Sequence, residues 1–155
     1  MNDAALQTRP QEIAVDEVFP HAPEVVWKTL TTPELMGRWL KMTATGFEPR
    51  TGARFTYQTS PAGEWDGVIQ CLVLEVIPNE RLVYEWRGGH EANLEYGSRL
   101  DTVVTWTISA VEGGARLRVV HSGFRLPKND FAFKGMSHGW PGVLQRIGAL
   151  ASEQH

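Results

Sequence analysis

The chain has a single cysteine, Cys71, in 155 residues. An internal disulfide is therefore excluded, and a reducing compartment, the cytoplasm, is the simplest setting. Long apolar runs are missing too. The longest is Cys71 to Leu74, far short of the roughly 20 residues that span a bilayer. Met1 to Pro10 is polar, without the apolar centre of a signal peptide. Neither charge dominates: 15 Lys and Arg against 18 Asp and Glu give a net charge of −3. That balance offers nucleic acid or an anionic membrane no uniform basic surface. The histidines, His21, His90, His121, His138 and His155, show no metal-ligand spacing. No Gly-rich loop with a following Lys is present to hold a nucleotide. Neither a metal nor a cofactor is therefore expected. What is present is an ordinary globular composition, 42% hydrophobic and 21% charged, with six tryptophans against three tyrosines.

Length and composition fit one domain over residues 12–152 behind a flexible leader, 1–11. Ile13, Val15, Glu17 and Phe19 alternate with Ala14, Asp16 and Val18, which predicts a first strand. Pro23 suits a first helical position, with Val26, Trp27 and Leu30 at helical spacing after it. Thr32-Pro33-Glu34 starts a second short helix with a hydroxyl cap, and Leu35, Met36, Trp39 and Leu40 form its apolar face. Strands are expected over Thr43–Phe47, Arg54–Gln58, Asp66–Ile77, Arg81–Trp86, Asp101–Val111 and Ala115–His121, with turn residues between them. Met136, Trp140, Val143, Leu144, Ile147 and Leu150 then recur at helical steps, and Pro141 kinks that helix or marks where its regular part begins. Grouped strands with segregated helices give an α+β class. The expected architecture is a curved antiparallel sheet of six to seven strands around a long C-terminal helix.

Several segments together resemble a known family. Ala22-Pro23-Glu24-Val25-Val26-Trp27-Lys28-Thr29-Leu30, Thr32-Pro33-Glu34 and Arg38-Trp39 are similar to the N-terminal signature of the heat-shock-protein-90 ATPase activator homologue family. That family belongs to the START-like, birch-allergen-like superfamily of helix-grip folds, which includes polyketide cyclases. Gly67-Val68, Leu74 to Pro78, Leu82 to Trp86, Thr102 to Trp106, Leu117 to Phe124 and Gly139-Trp140 resemble its later strands and terminal helix. The likeness spans residues 12–152 and implies the helix-grip fold. Two departures stand out: Arg87 to Arg99 is longer than a tight connection, and Pro141 follows the Gly-Trp pair.

Candidate chemistry is sparse. Gly135-Met136-Ser137-His138-Gly139 fits G-x-S-x-G, but a nucleophile elbow needs a buried strand before it, and Asn129 to Lys134 is a poor one. His90-Glu91 is followed by Leu94 where a zinc-protease helix needs a second His. Cys71 reads as inert core, and Arg87, Arg99, Arg116 and Arg118 as solvated positions. His121 shares a strand face with Leu117 and Val119, so it is either a hydrogen-bonded structural histidine or a buried base.

The leading expectation is a cavity binding a small hydrophobic or aromatic molecule. Its walls are drawn from Phe55, Tyr57, Val68, Trp86, Trp106, Val119 and His121 on the sheet and Met136, Trp140 and Leu144 on the terminal helix. Trp39 stands at its mouth. An alternative is a cyclase or aromatase-like enzyme using His121 with Tyr57 or Glu85, although Glu85 has the opposite parity to Tyr84 and Trp86. A third, implied by the resemblance, is stimulation of a chaperone ATPase. The eukaryotic activators use a further N-terminal domain for that contact, and Met1 to Gln11 supplies no substitute, so a chaperone partner is not expected. Apolar residues on both faces of Val68 to Ile77 predict a homodimer through the sheet.

Overall fold

The first strand, β1 (Pro10–Phe19), buries Ile13 and Phe19 on the side the alternation selects. The computed structural model describes residues 10–154, so the leader lies outside the described residues up to Arg9. Pro10 and Gln11, assigned to that leader, instead belong to β1. The last strand, β7 (Gly114–Arg125), runs past His121 and gives them partners in Arg125 and Phe124. Helices α1 (Pro23–Thr31) and α2 (Pro33–Leu40) each open on proline, whose missing N–H costs nothing there. Thr32 does not cap α2 with its hydroxyl. The hydroxyl donates back to the Lys28 carbonyl at 2.6 Å and closes α1 instead. Gly37 within α2 has a steric reason: a Cβ there would meet the Met42 carbonyl at 2.6 Å, where the chain folds back over the helix.

The remaining elements are β2 (Thr43–Thr45), β3 (Arg54–Gln58), β4 (Val68–Ile77), β5 (Arg81–Gly88), β6 (Leu100–Val111), β7 and α3 (Asp130–Ala151). They complete a seven-stranded antiparallel sheet in the order β1-β7-β6-β5-β4-β3-β2. The second strand is shorter than expected, ending at Thr45. Helix α3 starts at Asp130, so Pro141 lies inside it and does not mark its start. One face of α3 presses Trp140, Leu144, Ile147 and Leu150 into the core.

Two bulges adjust the pleat. In β7 the register shifts opposite Gln11/Glu12, and Gly123, at φ 99°, takes the extra position. His121 and Phe124 can then both face inward. In β4 the register shifts between Val73 and Glu75, and Leu74 is left 40% exposed. Phe55 pairs with Cys71 and Tyr57 with Ile69, which turns Ile69, Cys71 and Val73 inward. Val68 therefore faces away from the helix, a correction to the expected wall. Its segment is apolar at both parities, so alternation alone does not choose the buried set.

Candidate functional site

Most of the expected cavity wall is solid core. Tyr57, Trp106, Val119, His121 and Leu144 are fully buried, and Phe55 nearly so. Their rings interlock edge to face: Phe55 on Tyr84 at 5.2 Å, Trp106 on Trp140 at 5.6 Å and Trp39 on Trp106 at 5.4 Å. Trp39 is not at a mouth. It is fully buried and donates its indole N–H to the Thr29 carbonyl at 3.1 Å. An edge-to-face aromatic mesh fills space that a thinner set of side chains would leave open.

Polar groups inside this mesh pair with one another. Thr102 Oγ1 donates to the Trp86 carbonyl at 2.8 Å and sits 2.8 Å from His121 Nε2. The Thr102 proton being committed, Nε2 carries its own hydrogen and donates to the hydroxyl. Nδ1 is then a bare acceptor and receives the Trp140 indole N–H at 3.2 Å. Burial holds the imidazole neutral, with its pKa pushed down to about 3. A second chain runs from the Trp106 indole to Tyr84 Oη at 3.1 Å, with Tyr57 Oη 3.4 Å further on. Burial raises both tyrosines and the Cys71 thiol far above their ordinary values. The three groups of the cyclase reading do not converge. Both nitrogens of His121 are engaged, Tyr57 is core, and Glu85 lies on the outer face, reaching toward Arg87 at 3.4 Å.

Open space lies farther along the sheet. A cavity of about 230 Å³ sits between the inner sheet face at Ile69, Trp86 and Leu100 and the first turns of α3 at Phe131 and Met136. A neighbouring cavity of about 220 Å³ shares Met42, Trp86, Gly135 and Met136 with it and reaches Trp140. Of the expected wall, then, Trp86, Met136 and Trp140 border open space; the others pack behind it or, like Val68, face away. The walls of the first cavity are almost wholly apolar.

Its outer rim comes from two irregular segments. Asn93 ties them together: its Nδ2 donates to the Ala62 carbonyl at 2.8 Å, and its Oδ1 accepts the Glu64 N–H at 3.1 Å. This holds Trp65 against Tyr96, with ring centres 5.9 Å apart. Trp65 also donates to the Val68 carbonyl at 3.0 Å. The long Arg87 to Arg99 segment thus walls the cavity. Trp65, Tyr96 and Phe131 are site residues that periodicity could not find, since none lies on a periodic stripe. The available signal was an aromatic within each of two turn-rich segments.

Helix α3 borders both cavities with Gly135 and the second alone with Gly139. A Cβ at either would meet no atom within 4 Å, so packing does not require glycine there. Ser137, between them, is exposed in mid-helix and donates to the Phe133 carbonyl at 2.7 Å, without the strand-turn-helix strain of a nucleophile elbow. His90 Nδ1 accepts the Ala92 N–H at 3.0 Å. Among the described residues no three His, Cys, Asp or Glu gather as a metal site, and no helix is long and apolar enough to cross a membrane.

Known structures share this frame. Protein MLL2253 from Mesorhizobium loti is 34% identical, with 94% of this chain and 99% of that one covered and a TM-score of 0.78. DynU16, a protein of the dynemicin biosynthetic locus, is 22% identical over 89% of this chain and 46% of its own, with a TM-score of 0.67. The Aha1 dimer from Colwellia psychrerythraea is 17% identical over 89% of this chain and 93% of that one, at 0.68. No curated protein matches. Residues 20–152 match the model of the "Activator of Hsp90 ATPase homolog 1-like protein" family, and the chain belongs to that family.

Proposed function

We propose that this protein binds a small hydrophobic or aromatic molecule in the cavity bordered by Trp65, Trp86, Leu100 and Met136. The observation that carries the reading is the combination of nearly pure apolar walls with a glycine, Gly135, where the adjoining helix borders the cavity. Glycine in a helix interior is about 1 kcal/mol less favourable than alanine, and here no contact requires it. Keeping that side of the cavity clear is the reason that fits Gly135. DynU16, from a biosynthetic locus, has the same fold and is compatible with a small-molecule role. A titration of the protein with neutral aromatics tests the reading through tryptophan emission, because Trp65 and Trp86 face the cavity. Saturable change supports it; emission that never responds refutes it.

The protein is further proposed to pair with a second copy through the outer sheet face. Val68 and Leu72 are half-buried there, and Leu74 and Ile77 are 40% and 42% exposed. The dimeric Aha1 of similar fold favours this. A monomer mass in solution at micromolar concentration refutes it. The single cysteine, Cys71, which leaves no disulfide to form within the chain, supports a cytoplasmic setting.

A further inference from the structure

The two cavities lie end to end along α3. The first touches the helix at Phe131, Ala132, Gly135 and Met136, and the second follows later turns through Gly139 and Val143 to Arg146. They share Met42, Trp86, Gly135 and Met136, so one molecule can lie through both. Ligand sites measure about 300–1,000 Å³. At about 230 and 220 Å³, either cavity alone falls below that range, and the pair falls within it.

Arg146 ends this path. Among the described residues it is the one charged side chain on the wall of the second cavity, and it is half-buried. Its Nε donates to the Trp39 carbonyl at 2.8 Å, in the last turn of α2, where the helix leaves carbonyls without partners. That bond uses one of the five N–H groups of the guanidinium. Nη1 and Nη2 have no hydrogen-bond partner among the described residues, yet neither is shut away from solvent. Side chains on a helix lean toward its N-terminus. This one does: Nη1 lies 3.5 Å from where a Cβ on Gly142 would stand, one turn back along the cavity. A guanidinium fixed through Nε with both terminal nitrogens free is arranged to receive a carboxylate.

The far end sets the direction. Glu95, the one charged residue on the wall of the first cavity, is acidic and exposed, so it repels a carboxylate there. The apolar end of a ligand belongs on that side. Ala132 and Gly142 are about 15 Å apart along the helix, which suits an extended tail rather than a compact ring.

We infer that Arg146 binds the carboxylate of an elongated monocarboxylic acid, whose apolar body runs through the second cavity into the first. The inference rests on the proposed binding function and adds the head group and the length of the ligand.

Calorimetric titration of decanoate and 1-decanol into the full chain and its Arg146→Gln and Arg146→Lys variants provides the test. Arg146→Gln should weaken decanoate about tenfold, the loss of one charge-assisted contact on a half-exposed cation. It should leave 1-decanol unchanged, and Arg146→Lys, which keeps the charge, should retain most of the decanoate affinity. Butanoate has the same head but too short a tail for the first cavity, and should bind the original chain at least about a hundredfold more weakly than decanoate. Equal effects of Arg146→Gln on decanoate and 1-decanol, or none on either, overturn the anchor while the binding function stands. If Arg146→Gln does not fold, added salt on the original chain decides: decanoate should weaken relative to 1-decanol, and an unchanged ratio overturns the anchor. If neither decanoate nor 1-decanol binds while neutral aromatics still change the tryptophan emission, the inference falls and the binding function stands. If the aromatics fail as well, both fall.

Discussion

The indole N–H of Trp140 on α3 donates to Nδ1 of His121 on β7 at 3.2 Å, and both residues are buried. This bond joins helix to sheet at the boundary of the second cavity. Trp140→Phe keeps an aromatic ring but strands the His121 acceptor, at a cost of about 1–3 kcal/mol. Trp140→Ala also removes the packing against Trp86 and Trp106, and should cost about 3–5 kcal/mol. Urea melts of the two variants check the order. Equal, small losses would mean that the ring is not core.

Acid should loosen the same junction. Folded His121 resists protonation down to about pH 3, whereas an unfolded histidine takes a proton near 6.5. Stability is complete above the unfolded value and falls as pH drops through the window between the two. The slope there is about 1.4 kcal/mol per pH unit for one group. Between pH 6.5 and 5.5 few carboxylates titrate, so the loss in that interval belongs mainly to histidine. His121→Gln, with one donor and one acceptor, should flatten the slope. An unchanged slope in this variant would show that His121 is not the group responsible.

Gly135 separates stability from binding. Gly135→Ala should raise stability by up to about 1 kcal/mol, because its Cβ meets nothing within 4 Å. Gly135→Leu extends a side chain toward the space between Met42 and Met136. It should leave Tm at or above the original value and weaken ligand at least tenfold. Full binding by a stable Gly135→Leu protein would show that Gly135 does not keep the cavity clear.

Asn93 should govern the rim. Asn93→Ala breaks two bonds that link the 60–67 turn to the 87–99 segment. Hydrogen exchange should quicken in both segments and stay unchanged in β6 and β7. Protection lost throughout the sheet would mark Asn93 as a global rather than a local tie.

The fold was legible because its punctuation is chemical. Pro23 and Pro33 open helices, and Thr102, Val104 and Trp106 alternate cleanly against outward neighbours. The site was less so. Val68 was misplaced because β4 is apolar on both parities, and only its pairing with β3 sets the register. Trp39 was expected at a mouth, yet the indole is buried by contact with Trp106, from a strand far along the chain. Trp65 and Tyr96 meet because Asn93 bonds to backbone 29 and 31 residues away. No local period carries such a bond. His121 was found as inward-facing, but its fixed tautomer depends on Thr102 and Trp140 together.

The indole N–H resonances of the six tryptophans test the binding site most directly. Nitrogen-15 spectra recorded during a titration with 2-naphthol should show Trp65 and Trp86, which line the first cavity, shifting along one saturable curve. Trp39 and Trp106, locked in the core by bonds to Thr29 and Tyr84, should stay in place. Shifts in Trp39 and Trp106 without Trp65 and Trp86, or no saturable shift in any of the six, would contradict a ligand site in this cavity.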